Sequence, residues 1–398
     1  MSHTESISPK KMISLFMVVW LGHFFVDVML GIWPVYKSLA QIDLAQAGFI
    51  AAGGAFIGEG SQLFFGALSD RGYRNYCLLF GLAMAAAALL LAKTTSISLL
   101  FLFFMVTCLG SGCFHPSAAS LVSTIRPAKR NLLMSIFAAG GGLGLAFSQL
   151  IFMSTLGEGG SMIWIGSAFF LLLFLLFYFR STPVSSSSFP ASPGQSSYSR
   201  LFAFFKVPAL RSLYFSQVAN QSLYWAIIFI LPDALQALGH PAWICFGVGH
   251  LCFILGGVVM MVPGGLLADR YSARSLMIVL SFTGMIFFYL LLSFGAYSIW
   301  VALPLLALLG ASLAILNPIA VSFGVRLAPS SPGLVSAFLM GLVWCVSEAV
   351  GPGSIGLMSS FFSDYAPIKA LAVLGVLFLV QIYHTLLLPK EQVGTQLV

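Results

Sequence analysis

An all-helical membrane protein, with twelve transmembrane helices in two similar six-helix bundles, is the fold this sequence predicts, and three observations predict it. The chain of 398 residues is 59% hydrophobic and 7% charged, with 37 phenylalanines against 11 acidic residues. That leaves too little polar surface to cover a soluble globule. Its lysines and arginines alternate from one inter-segment stretch to the next. A short charged motif, Gly66-Ala-Leu-Ser-Asp70-Arg71, returns as Gly265-Leu-Leu-Ala-Asp269-Arg270, each time between two long apolar runs.

The apolar segments run near 12–36, 46–68, 75–93, 97–125, 131–155 and 161–179, then 208–238, 243–268, 274–294, 297–325, 333–360 and 365–388. A span needs about 20 mostly apolar residues, so a dozen fit this length. With the N-terminus placed in the cytoplasm, fifteen of the 18 basic residues fall on inner segments and only Lys37, Lys93 and Lys369 on outer ones. One missed span would scramble that bias, so it supports both the count and the orientation, with both termini cytoplasmic. The net charge of +7 is therefore a topology signal, and no nucleic-acid partner is expected. The first segment carries Asp27 and lacks a small-residue cleavage site, so it is expected to stay in the membrane. All six cysteines lie in or beside spans without metal-ligand spacing, so they read as small core residues, with no metal site expected.

Between the halves, residues 181–199 hold nine serines and three prolines, a composition that cannot bury a core. The expected organisation is an N-terminal bundle over 1–180, a cytoplasmic linker over 181–205 and a C-terminal bundle over 206–398. The repeat extends beyond the charged motif. His115-Pro116 in the fourth segment matches Asn317-Pro318 in the tenth, and Trp33-Pro34 in the first matches Leu231-Pro232 in the seventh. Each intramembrane proline frees a carbonyl one turn earlier and lets the backbone bend. On this alignment His23 stands opposite Gln221 and Asp27 opposite Trp225, so the scaffold repeats while its ionisable groups do not.

These residues resemble the major facilitator superfamily, whose transporters have twelve helices in two six-helix halves. The shared loop motif is Gly66-Ala-Leu-Ser-Asp70-Arg71-Gly-Tyr-Arg74, with a weaker partner from Gly265 to Arg274. Gly22-His23-Phe-Phe-Val-Asp27, Gly110-Ser-Gly-Cys-Phe-His115-Pro116, the glycines Gly140, Gly141, Gly142 and Gly144, and Pro332-Gly333-Leu-Val-Ser336 are similar to the fosmidomycin-resistance-like branch. That resemblance implies a bacterial inner-membrane drug exporter that exchanges substrate for protons. It also implies that Gly66, Asp70, Arg71 and Arg74 form one conformational latch, and Gly265, Asp269, Arg270 and Arg274 a second. Glu59 and Glu348 depart from the branch pattern.

Asp27 and His23 are four residues apart on one helix and so share a face. A carboxylate at mid-membrane costs about 2.5–3.5 kcal/mol on insertion scales, a cost that falls when it is protonated or hydrogen-bonded. Asp27 is therefore the leading proton-coupling candidate, with His23 as relay; the plain alternative is a structural pair pinning helix 1 against helix 4 or 5. Glu59 and Glu348, also within spans, are further proton-coupling candidates or interhelical contacts. His115 and Asn317 beside the prolines, and Gln217, Asn220, Gln221 and Tyr224 along one face of the seventh segment, are the substrate-binding candidates. Gln62, Gln149 and His250 are weaker ones. The glycine clusters lack the Lys-Ser/Thr of a phosphate cradle, and no nucleophile–base or metal motif lies in a span, so neither an ATP-driven pump nor an enzyme is expected.

The predicted function is secondary active transport: export of a small molecule or drug by alternating access, driven by the proton gradient and without a cofactor. Proton-coupled uptake, facilitated exchange and a non-transporting membrane receptor stand as alternatives. The expected partners are the substrate, protons and the lipid bilayer, with the chain a monomer.

Overall fold

The structure, a computed structural model, describes residues 9–125, 130–156, 163–179, 201–329 and 331–390. Every regular element among them is helical. The first half contains α1 (Pro9–Leu30), α2 (Ile32–Leu39), α3 (Leu44–Leu68), α4 (Arg74–Ala85), α5 (Ile97–Ile125), α6 (Arg130–Leu156) and α7 (Ile163–Phe179). The second contains α8 (Pro208–Ala237), α9 (Gly249–Arg270), α10 (Ala273–Phe294), α11 (Ile299–Ala314), α12 (Leu316–Leu327), α13 (Pro332–Ser336), α14 (Val343–Ser359), α15 (Ala366–Leu374) and α16 (Val376–Leu386).

Among the described residues ten helices are long and apolar enough to cross a membrane, and Ile165–Phe179 is a shorter apolar one. The longest, Leu44–Lys93, holds two of the expected segments. They are divided at Gly72, whose φ of 97° lies in the left-handed region that side chains avoid. Two of the expected segments thus share one helix, and the shorter apolar helix falls within the sixth expected segment.

The chain divides into two compact units, Met1–Ile32 with Ile57–Ala191, and Trp33–Phe56 with Ser192–Val398. The second unit thus takes in a hairpin, 33–56, that precedes the Ser/Pro-rich stretch by more than a hundred residues. Residues 181–200 of the assigned linker lie outside the described residues. Its last residues pack into the second unit, where the Phe205 ring stands 4.9 Å from Tyr214 and 5.0 Å from Phe338, centroid to centroid.

Lipid tails are as apolar as leucine, so close backbone approach and hydrogen bonds hold membrane helices together. In the first unit α1 lies on α6 along Gly140, Gly141 and Gly144. A Cβ on Gly140 would stand 2.7 Å from Trp20 Nε1, and one on Gly144 would strike the Phe24 carbonyl. Trp20 Nε1 donates to the Ile136 carbonyl at 2.8 Å. Helix α3 meets α5 at Gly58, whose Cβ would stand 2.6 Å from the Cys108 carbonyl oxygen. The same device recurs in the second unit, where a Cβ on Gly310 of α11 would collide with the Phe253 carbonyl of α9.

The matched prolines behave differently. Pro116 sits inside α5 and Pro318 in the first turn of α12, where Ile315, between α11 and α12, keeps right-handed helical backbone at φ −62° and ψ −29°. Pro34 occupies the first turn of the short α2, where a missing N–H costs little.

Candidate functional site

Three polar side chains from two helices of the first unit converge on one point. Helix α1 presents His23 and Asp27 one turn apart, and α5 brings His115. Asp27 Oδ1 lies 3.1 Å from His115 Nε2, and Asp27 Oδ2 lies 3.6 Å from His23 Nε2. His23 is buried and its ring packs at 4.1 Å on Phe137 and edge-on at 4.8 Å to the His115 ring.

The far nitrogen of each ring is committed. His23 Nδ1 lies 2.8 Å from the Phe137 carbonyl oxygen, and His115 Nδ1 lies 2.9 Å from the Ser111 carbonyl oxygen. The Phe137 carbonyl only accepts, so His23 Nδ1–H donates to it and His23 Nε2 is the lone pair of the neutral imidazole. His115 Nδ1 also lies 2.9 Å from the Ser111 hydroxyl, which can donate as well as accept, so both tautomers of His115 are satisfied there. The Nε2 atoms of both rings face the Asp27 carboxylate. The 3.1 Å contact to His115 is a hydrogen bond when Nε2 carries the hydrogen, in the neutral ring or in the imidazolium, and when Asp27 is a carboxylic acid facing a bare Nε2. One ligand atom from each of His23, Asp27 and His115 also lies within 4.8 Å of the others, so the site suits a small cation, and a proton meets the same need.

Glu59 of α3 joins this cluster. It is 8% exposed, the Gln62 amide donates to its carboxylate, and it lies within electrostatic reach of both His115 and Asp27. Gly141 of α6 makes room for the whole group, because a Cβ there would strike both His23 Nε2 and Asp27 Oδ2. The His23–Asp27 pair ties α1 to the fourth span through His115 and to the fifth through the Phe137 carbonyl. Glu348 is half-buried on α14 of the second unit.

The stripe on α8 divides in two. Asn220 Nδ2 donates to the Leu313 carbonyl at 3.1 Å, a helix-to-helix bond. Gln217 is fully buried with neither amide atom hydrogen-bonded, and Asn317 is buried with its Nδ2 unbonded. Gln149 shows the same unmet amide in the first unit. Buried amides left without partners call for water or ligand. Gln221 is buried, and Tyr224 packs its ring at 5.2 Å on Phe253. His250 is fully buried.

The charged loop motif lies at the turn after α3. Asp70 and Arg71 are exposed and enter no ion pair among the described residues, while Arg74 is half-buried within reach of the Asp70 charge. Gly66 stands against α5, with 3.6 Å from its built Cβ to Pro116 Cβ. In the second motif Arg270 is exposed over the Tyr271 ring. Arg274 donates to the Leu386 carbonyl at 2.8 Å, satisfying the C-terminal end of α16. The side chains of Gly265 and Asp269 lie outside the described residues.

Sequence reasoning missed Ser111, the Phe137 carbonyl and Gly141 as supports of the cluster. It also missed a buried ion pair between Lys37 of α2 and Asp233 of α8. Two of these carried a mark in the sequence, Gly141 in a glycine run and Asp233 as a carboxylate next to an intramembrane proline, though neither mark names its partner.

Fold and site together define an integral membrane transporter built from bundled helices. The sequence pattern of the major facilitator superfamily matches residues 15–352, and the chain belongs to that family. It is 25% identical to YfnC, an uncharacterised MFS-type transporter of Bacillus subtilis (strain 168), over 95% of this chain and 93% of that protein. Its fold is similar to a mutant form of the nucleoside transporter NupG, with a TM-score of 0.78 at 11% identity over 94% of this chain and 99% of that one. It is also similar to a bacterial homologue of the human lysosomal transporter Spinster, inward-facing and occupied, with a TM-score of 0.76 at 14% identity over 96% and 97%. A D-xylose–proton symporter gives a TM-score of 0.75 at 13% identity over 95% and 98%.

Proposed function

We propose that this secondary transporter exports a small molecule or drug in exchange for protons by alternating access, as a member of the fosmidomycin-resistance-like branch. The observation that carries the reading is the Asp27 carboxylate held between the Nε2 atoms of two imidazoles. Such a group takes up and releases a proton over a narrow free-energy range, because either partner can hold it. His23 and Glu59 are its relays. Asp27 loads from outside, and its protonation favours the inward-facing state.

The moving parts in this reading are residues 1–180 and 206–398, joined by the linker 181–205. Asp70, Arg71 and Arg74 latch the cytoplasmic side of one half, and Asp269, Arg270 and Arg274 that of the other. Gln217, Gln221, Tyr224 and Asn317, with His115 and Glu348, bind the substrate. The unbonded amides of Gln217 and Asn317 support this, whereas Asn220, already bonded to α11, positions the helix. Carboxylates in the spans favour a neutral or cationic substrate. The chain works as a monomer in the bacterial cytoplasmic membrane with both termini inside.

A growth screen in cells lacking their own exporters, against a panel of toxic compounds and nutrients, identifies the substrate. The expected result is resistance to at least one compound that Asp27→Asn abolishes at unchanged membrane yield. Resistance that survives Asp27→Asn removes the coupling role, and enhanced sensitivity points to uptake by the same residues.

A further inference from the structure

The donor atoms gathered by α1 and α5 in the first unit are those that a transition metal takes. Asp27 turns one carboxylate oxygen to each imidazole, with Oδ1 3.1 Å from His115 Nε2 and Oδ2 3.6 Å from His23 Nε2. Ligands bonded to a tetrahedral zinc-class ion at about 2.0–2.1 Å stand about 3.3 Å from one another. The two observed separations fall on either side of that value. One donor atom of each residue lies within 4.8 Å of the others, so an ion entering between them reaches all three after small side-chain shifts.

The supports that a ligating imidazole needs are in place. His23 Nδ1 donates to the Phe137 carbonyl at 2.8 Å, and the Ser111 carbonyl stands 2.9 Å from His115 Nδ1, where it can accept from that ring. A ring whose Nδ1–H is held by a carbonyl presents Nε2 as a lone pair, the arrangement typical of metal-bound histidine. Stacking on Phe137 at 4.1 Å fixes the plane of the His23 ring. Gly141 keeps α6 clear of the donors, since a Cβ there would strike both His23 Nε2 and Asp27 Oδ2. The His115 and Asp27 side chains keep 21% and 17% of their surface accessible, which leaves a way in and room for water as a further ligand. Charge fits as well. Both ion pairs of Asp27 among the described residues are with histidines, and Glu59 lies within electrostatic reach of Asp27 and His115. Two carboxylates beside two neutral imidazoles carry the charge that one divalent ion cancels, and unbalanced charge is expensive within a span.

We propose that His23, Asp27 and His115 form a binding site for a divalent transition-metal ion of the zinc class, ligated by both Nε2 atoms and the Asp27 carboxylate. Two nitrogen donors select such an ion against magnesium and calcium, which take oxygen ligands. His23 and Asp27 sit one turn apart, but the third ligand comes 88 residues after Asp27, which is why sequence spacing predicts no metal site. The inference uses the geometry of the cluster and not the exchange of protons for substrate.

The test is metal binding by the whole chain, purified in detergent through a tag free of histidine, with Co2+ as the spectroscopic probe. The expected result is one Co2+ per chain with the intense visible bands of a four-coordinate ion, displaced by Zn2+ and not by millimolar Mg2+ or Ca2+. Zn2+ also raises the unfolding temperature, because it binds the folded chain. His23→Gln, Asp27→Asn and His115→Gln each weaken binding by about a hundredfold or more, since even the partners behind a ligand are worth about 10–100-fold. His384→Gln leaves binding unchanged, as His384 lies in the second unit with its ring 5.3 Å from that of Phe215. His115→Cys, in a chain whose six native cysteines are replaced, reads ligation directly through a thiolate-to-cobalt absorption band in the near ultraviolet. That gain of signal stands even where a glutamine variant folds poorly. A parent chain that binds no Co2+ overturns the proposal, as does a His115→Cys chain without the new band. Co2+ that keeps its spectrum and affinity in Asp27→Asn and His115→Gln is an adventitious ion only and overturns it too. A parent chain that binds the metal at these residues but exchanges no protons upholds the site and removes only the exchange.

Discussion

Asp27 and His115 stand 3.1 Å apart, with the far nitrogen of the His115 ring anchored at Ser111 and that of His23 at the Phe137 carbonyl. The spacing of His23 and Asp27 was legible from sequence, since four residues on a helix make one turn. That His115 completes the cluster was not derivable from spacing: the register of α5 against α1 is set by tertiary contacts such as Gly22 beside Phe114 and Gly81 beside the Phe114 backbone. Gly141 supplies the missing dimension by having no side chain. Gly141→Ala is expected to push His23 and Asp27 apart, lower stability by about 1–3 kcal/mol as overpacking does, and abolish proton-driven transport. Thermal unfolding in detergent, read beside flux, checks both halves of that statement. Lys37 was the clear failure of sequence reading. A cation near a span end counts as an outer topology charge, and its partner Asp233 lies 196 residues away, beyond any local pattern.

At the scale of the element, repetition and function part company. The matched prolines sit in helical backbone in both halves, Pro116 inside α5 and Pro318 in the first turn of α12, so the motif marks a capacity to bend rather than a bend. The loop glycine is more constrained. Gly72 takes φ 97° between α3 and α4, and Gly72→Val is expected to cost about 1–3 kcal/mol of strain, visible as a lower unfolding temperature without a change in substrate affinity. On α8 the amides separate by partner. Asn220→Ala is expected to lower stability by roughly 0.5–1.5 kcal/mol, through loss of its bond to Leu313. Gln217→Ala, which breaks no bond, is expected to raise stability slightly and weaken substrate binding. A common effect of the two on binding alone contradicts this division. The stripe's polarity was legible in the sequence; which amide serves structure was not, because that depends on the facing carbonyl.

For the whole molecule, composition and the alternation of basic residues were enough to place all twelve apolar segments and to specify a helical membrane protein. They worked because the bilayer constrains length and polarity far more tightly than water does. Family membership follows from the same residues and from the match over 15–352. The division into packed units did not follow, since the hairpin 33–56 joins the second unit through glycine contacts that no hydropathy pattern encodes. The central claim is that a proton held at Asp27 drives substrate movement. Everted membrane vesicles carrying the chain, energised to an acid interior and loaded with a pH-sensitive dye, test it most directly when the compound found by the growth screen is added. The account predicts that the compound collapses the pH gradient with the parent chain and leaves it intact with Asp27→Asn. Equal collapse in both, or none in the parent, contradicts it.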